Sequence, residues 1–322
     1  MTRISGFMCV LLALLTAGSP AAQTTYPDKP IRLIVPRPAG SQIDTVARLL
    51  GQGLAAVLGK PVVIVNVTGA AGNIAADRFA KATPDGYTLG LLAESQIVIN
   101  PSLYKLSYDP MKDFAPVSQV AVFPSLLVVH NSVPAKNVQE LIMLARTRPG
   151  ELTFASGGVG SGNHMAAELF KSMAGVDIRH IPYKGVVAAV PDLLGGRVTM
   201  MFSPIAVVLP VVREGKLRAL AVTSLRRSAA APELPTIAES GLPGFEHTGW
   251  YGLLVPARTP ATLIGKLHLE TVKALALPDL RTRLTDLGLE GLGNSPDEFA
   301  AAIKSGTSKW AKVIKESGIK PD

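Results

Sequence analysis

Cysteine is almost missing from this chain. Its 322 residues include one, Cys9, set inside an apolar N-terminal run. A single cysteine excludes an intrachain disulfide, an iron–sulfur cluster and a Cys-based zinc site. Aromatic residues are also scarce, at 5%, too few for a base-stacking surface. Charged residues make up 17%, against about 25% in an average domain. The net charge is +8, yet the cations are scattered and cluster no further than pairs such as Arg226–Arg227. Nothing resembles a nucleic-acid patch. Apart from the N-terminal run, no uncharged apolar stretch reaches the roughly 18 residues of a membrane-spanning helix.

Linear catalytic motifs are missing too. The five histidines show no His-Glu-x-x-His spacing. Gly158 to Gly162 has the wrong register for a nucleophile elbow. Gly59-Lys60 is followed by Pro61 and makes no phosphate-binding loop, and Asn163 stands where a dinucleotide fingerprint needs its third glycine. The expectation is a protein with no catalytic residue, no metal and no cofactor.

What is present is enough hydrophobic sequence, 48%, to bury a sizeable core, at a length that suggests two domains. Gly 30 and Pro 25 point to many short elements and tight loops. At the N-terminus Arg3 precedes the apolar run Phe7 to Ala17, and small residues follow through Ala22. The run would span about 16 Å as a helix, short of a bilayer of about 30 Å. Residues 1–22 therefore read as a secretory signal peptide, cleaved after Ala21 or Ala22. An exported, soluble, disulfide-free chain fits the bacterial periplasm.

Beyond it, short apolar runs alternate with helical patterns. Strands are expected at 31–35, 62–65, 87–93, 126–130, 152–155, 177–182, 198–202 and 217–224. Helices are expected at 44–58, 74–81, 138–146, 163–173, 186–194 and 205–213, with a helical C-terminal part over 261–277, 280–287 and 297–317. This alternation predicts an α/β fold with mostly parallel sheets. Loops at 107–116 and 228–249 suggest two lobes crossed twice by the chain, 27–125 plus 249–322 and 126–248.

Two glycine-bearing loops lie between a strand and a helix. The first runs Pro36-Arg37-Pro38-Ala39-Gly40-Ser41-Gln42-Ile43-Asp44, where Ser41 and Asp44 have capping-box spacing. The second runs Ser156-Gly157-Gly158-Val159-Gly160-Ser161-Gly162-Asn163-His164. Free N–H groups at a helix start, aided by the helix dipole, make an anion site. Each loop alone is also an ordinary strand-to-helix turn; two of them, one per lobe, favour a shared anion site. Tyr183-Lys184-Gly185 and Ser203-Pro204 also fall at strand ends, where open α/β sheets bind ligands. Ser203 has the type of an N-cap with Pro at the first helical position. Arg37 offers a cation to a ligand carboxylate. Glu94-Ser95-Gln96 ends a strand and could line the same cleft. His164 reads as a ligand donor or a buried cap, and Trp250-Tyr251 as core or hinge packing.

The blocks YPDKPIRLIVPRPAGSQIDTVARLL (26–50), GKPVVIVNVTGAAGN (59–73), PDGYTLG (84–90), NPSLYKLSYDPMKDFAPVS (100–118), PGELTFASGGVGSGNHMAAELF (149–170), HIPYKG (180–185), GKLRALAVTS (215–224), ELPTIAESGLPGFE (233–246) and SPDEFAAAIKSGTSKWAKVIKESGI (295–319) occur in that order. Together the chain resembles the substrate-binding receptors of tripartite tricarboxylate transporters, the Bug proteins. The resemblance implies a monomeric two-lobed periplasmic binding protein of type II that holds a small carboxylate between its lobes and delivers it to membrane subunits or a sensor. It places the carboxylate on Pro38 to Asp44 and Ser156 to His164. Departures fall at the same place. Arg37 stands where the family commonly has an aromatic residue, Ser41 where it has a second glycine, and Ile43 where it has Thr or Ser. Val65-Asn66-Val67 replaces a familiar Glu-Asn-Arg. Arg37 suggests a second anionic group on the ligand. A secreted hydrolase with a spatially assembled site, and a receptor for a neutral amide, are the alternatives.

Overall fold

The computed structural model describes residues 26–320; the expected signal segment lies outside them. The chain runs β1 (Ile31–Val35), α1 (Gln42–Leu58), β2 (Val62–Asn66), a short turn at Ala70–Gly72, α2 (Asn73–Ala80), β3 (Thr88–Ala93) and a π-helical turn at Ser95–Ile99. Two short helices, α3 (Asn100–Leu103) and α4 (Pro110–Asp113), lead into β4 (Phe114–His130). Then come α5 (Val138–Thr147), β5 (Thr153–Ser156), α6 (Gly162–Ala174), β6 (Arg179–Pro182), α7 (Val186–Leu194), β7 (Met200–Pro204), α8 (Ile205–Arg213) and β8 (Leu217–Val222). The chain ends with β9 (Thr248–Pro256), α9 (Ala261–Leu275), α10 (Pro278–Asp286), β10 (Glu290–Gly291) and α11 (Pro296–Ser317).

The strands follow the order β2-β1-β3-β9-β4-β7-β5-β6, with β8 and β10 also on β4. The expected alternation yields the parallel pairs: β2 and β3 flank β1, and β6 and β7 flank β5. β1 is buried at four of its five positions, as a strand covered on both faces should be. The sheets are mixed rather than mostly parallel, because β4 and β9 run antiparallel to their neighbours.

β4 joins the two halves. Its first part, to Pro124, pairs with β9. From Ser125 onward it pairs with β7 and β8. The sequence reading recovers only 126–130 of this strand. Its earlier part carries Pro116 and Pro124, which lack the N–H a ladder needs. Both are accommodated: the register slips between Pro116 and Ser118, and Pro124 falls where the partners change. β9 was not expected either. Its glycines lower strand propensity, but each makes room for a ring: Phe123 lies against Gly249 and Phe299 against Gly252.

One apolar cluster fills the first half around Leu50, Leu54 and Leu253, and another the second half around Met201 and Val208. A third spans both and includes Phe170, Phe202, Phe299 and Trp310. It is this cluster that seats α11 against α6, with the Ser172 hydroxyl donating to Glu316 at 3.2 Å.

Gly90 in β3 shows how close the layers come. A Cβ there would lie 2.7 Å from Phe79 Cε1 on α2. Gly90→Val should therefore overpack and destabilise by about 1–3 kcal/mol, read as a fall of several degrees in melting temperature.

Candidate functional site

The two glycine loops fold in the same way. Gly40 and Gly160 have φ of 82° and 72°, in the left-handed region that glycine tolerates. The following serines, Ser41 and Ser161, are the N-cap residues of α1 and α6, with φ, ψ of −71°, 158° and −70°, 151°. An N-cap serine ordinarily accepts from the first helical turn. Here neither does. Ser41 Oγ donates to the Pro38 carbonyl at 2.7 Å, and Ser161 Oγ to the Gly158 carbonyl at 2.6 Å. The expected Ser41–Asp44 capping box is therefore not formed. Asp44 instead accepts from the Gly40 N–H at 2.9 Å, and His164 Nδ1 accepts from the Gly160 N–H at 3.1 Å. With the serine hydroxyls turned away, the N–H groups of Gln42 and Ile43, and of Gly162 and Asn163, find no partner among the described residues. Those groups and the helix dipoles supply partial positive charge.

Both helix starts open into one cleft of about 630 Å³, between the halves joined by β4. Of the expected site residues, Arg37, Pro38 and Ser41 line it from the first loop, and Gly157, Ser161 and Asn163 from the second. Ser95, Lys184 and Gly185 line it as well. The others stand behind this wall or point elsewhere. Ala39 and Gly40 shape the first turn and Gly160 the second. Gln96 is fully buried and braces Ala93 N–H at 3.0 Å and the Ala71 carbonyl at 2.7 Å. Ser156 Oγ lies 2.6 Å from His180 Nε2 and accepts from Gly158 N–H. Tyr183 turns its hydroxyl to Asp192, donating at 2.7 Å. Ser203 is a buried strand residue, not an N-cap: β7 runs on to Pro204, and Pro204 is the residue that both caps α8 and lines the cleft.

Asp44 is buried among donors. Burial pushes its carboxyl up, but hydrogen bonds from Arg48, Gly40 and Asn66 outweigh this and hold it below the usual range. Arg48 Nε and Asn66 Nδ2 each donate at 2.9 Å. Asn66 thus anchors the first loop. His164 stacks on His180 with ring centres 4.0 Å apart. Burial, with His180 and Lys171 nearby, drives its pKa down to about 3. It is a neutral brace, not a cation offered to a ligand.

Further residues line the cleft: Gln42, Ile43 and Glu94 from stretches already expected there, and others that were not expected. Gln42 accepts from the Tyr251 hydroxyl at 2.8 Å, so Tyr251 and Trp250 serve both core and cleft. Ile43, Phe123, Val186, Val187 and Val207 supply apolar wall. Glu94 and His247 enter from two strand ends and are both buried. Asn163 Nδ2, Glu94 Oε2 and both His247 nitrogens have no hydrogen-bond partner. Buried polar atoms are seldom left so, and four in one cleft mark a place built for a polar occupant.

Two α/β halves joined by a shared strand, with opposed helix starts in the cleft, define a ligand-binding receptor. Residues 46–319 match the model of the tripartite tricarboxylate transporter family receptor. Protein BugT of Bordetella pertussis is 36% identical over 322 residues, covering 99% of each chain. The fold is shared with Rhodopseudomonas palustris Rpa4515 solved with adipate, at 36% identity and a TM-score of 0.80 over 92% of this chain and 100% of that one. It is shared with MatC from the same organism, solved with bound malate, at 34% identity and a TM-score of 0.77 over 90% and 100%. The chain belongs to the tripartite tricarboxylate transporter receptor family. Among the described residues, no helix is long and apolar enough to cross a membrane.

The neutral state of His164 sets a pH dependence. Its folded pKa of about 3 lies below the ordinary 6.5, so on acidification the unfolded chain takes up the proton first and stability falls across that window. His164→Asn keeps an acceptor for Gly160 N–H but removes the titration. The variant should melt lower than wild type at pH 7, and the gap should narrow as pH falls from about 6.5 toward about 4, followed by thermal melts across pH.

Proposed function

We propose that this protein is an exported receptor that captures a small organic carboxylate between its two halves, 27–125 plus 249–322 and 126–248, and hands it to a membrane transporter of the tripartite tricarboxylate type. The observation that carries this reading is the pair of helix starts whose first N–H groups find no partner, Gln42 and Ile43 of α1 and Gly162 and Asn163 of α6, opening into one cleft. A carboxylate has two oxygens and several acceptor sites, enough to bond N–H groups from both sides. Bonding both halves at once favours the closed arrangement by the ligand's extra affinity for it. A membrane partner then has a closed form to recognise. Relatives solved with adipate and with malate support a dicarboxylate-sized occupant, and exposed Arg37 and Lys184 at the rim suit its second charge. Export to the periplasm follows from the signal-like residues 1–22 and from the family. Nothing in this mechanism requires turnover.

The test is thermal melting of the mature chain, unfolded and refolded to strip any carried ligand, against mono-, di- and tricarboxylates, aromatic acids and their amides. A ligand at 100 times its Kd adds about 2.7 kcal/mol, a rise of a few degrees at this size. An acid should shift the melt where its amide does not. A shift by amides alone, or slow product formation, would overturn the carboxylate reading.

A second prediction concerns the charge at α6. Asn163→Asp keeps the oxygen that accepts from Gly157 N–H and places an acidic group where a helix start tolerates it. It also sets a negative charge in the cleft. Acid affinity should fall about tenfold or more while the unliganded melting temperature holds, as measured by calorimetry.

A further inference from the structure

An anion-binding cleft with a buried carboxylate in its wall needs an explanation. Glu94 is 7% exposed and His247 2%. Glu94 Oε1 is held by the Trp310 indole N–H at 2.7 Å, which fixes the carboxylate and leaves Oε2 free. Oε2 lies 3.4 Å from His247 Nε2, and neither atom makes a hydrogen bond. Lys309, a cation bordering a smaller hollow behind the pair, is already bonded to Glu246 at 3.0 Å. The free oxygen sits beside the start of α6. A Cβ on Gly162 would be 3.8 Å from Glu94 Oε2 and 3.4 Å from His247 Nε2, so the glycine leaves open the space where the acceptor and the free N–H groups meet.

We propose that Glu94 Oε2, with His247 beside it, is a specificity-determining acceptor that selects a carboxylate carrying a hydrogen-bond-donating group, amino or hydroxyl, next to its bound end. The inference rests on the carboxylate-receptor reading above. A plain alkyl acid brings a methylene to Oε2, leaves the buried oxygen unsatisfied and sets two anions side by side. A donor-bearing acid satisfies the oxygen, and an ammonium also offsets its charge. Loss of one buried acceptor's partner is worth about tenfold in affinity. The two kinds of donor separate by charge. Glutamine at position 94 removes the anion, and with its carbonyl held by Trp310 it turns an amide NH2 to the ligand. A hydroxyl can still accept from that group and an ammonium cannot, so ammonium selectivity should suffer more than hydroxyl selectivity.

The experiment is titration calorimetry of refolded wild type with matched trios: succinate, malate and aspartate, then glutarate, 2-hydroxyglutarate and glutamate. The expected result is that a hydroxy or amino member binds about tenfold or more tighter than its parent in at least one trio. Glu94→Gln, which can still accept from Trp310, should erase the amino acid's advantage and weaken the hydroxy acid's. A parent acid that binds as tightly as both its derivatives would overturn the proposal without any variant. So would an unchanged ranking in a Glu94→Gln protein that melts as wild type does. Failure of every acid to bind would instead overturn the receptor reading, and this inference with it.

Discussion

The structure depends on two helix starts whose first N–H groups are kept unsatisfied. Serine hydroxyls that could have capped α1 and α6 donate backward, to Pro38 and Gly158. That choice forgoes a stabilising cap of about 1 kcal/mol at each helix. Both loops then need another brace, and each has one in the third helical residue, which accepts from the left-handed glycine. The rest of the fold brings the two starts to one cleft: the strand β4 shared by both sheets, and α11 seated against α6 through Trp310 and Phe170.

The two braces solve one geometric problem with different chemistry. Asp44 is anionic and stands beside the free N–H groups of α1, and Arg48 and Asn66 absorb its charge. His164 is neutral and packed among rings. The first loop can therefore tolerate exposure to solvent at its edge, while the second must stay dry to hold its imidazole uncharged.

Much of this could be read from residue order. The βα alternation located most helices within two residues of their observed bounds, and the glycine loops led to both helix starts that open into the cleft. What was hidden depends on tertiary packing. β9 contains glycines that propensity counts against a strand, and only the facing rings of Phe123 and Phe299 reveal why they are there. The prolines of β4 suggested a loop because the change of partners at Pro124 has no local signal. Ser41 and Asp44 had the spacing of a capping box, but hydroxyl direction is set by the Pro38 carbonyl, which spacing does not encode. His247 and Tyr251 reach the cleft from a segment distant in sequence from both loops. Glu94-Ser95-Gln96, at the end of a strand, was legible as a cleft edge, but the burial of Glu94 and its unpartnered oxygen were not.

The strand order has a consequence for assembly. β9 lies between β3 and β4, so the first sheet cannot close until residues 248–256 arrive, long after its neighbours have been made. Local collapse of the early segments meets a missing central strand, and the pairings that complete it span well over a hundred residues. Such long-range closure slows folding. In a newly made chain of this topology the second sheet can pair within residues 125–222, while the first stays open until residues 248–256 exist.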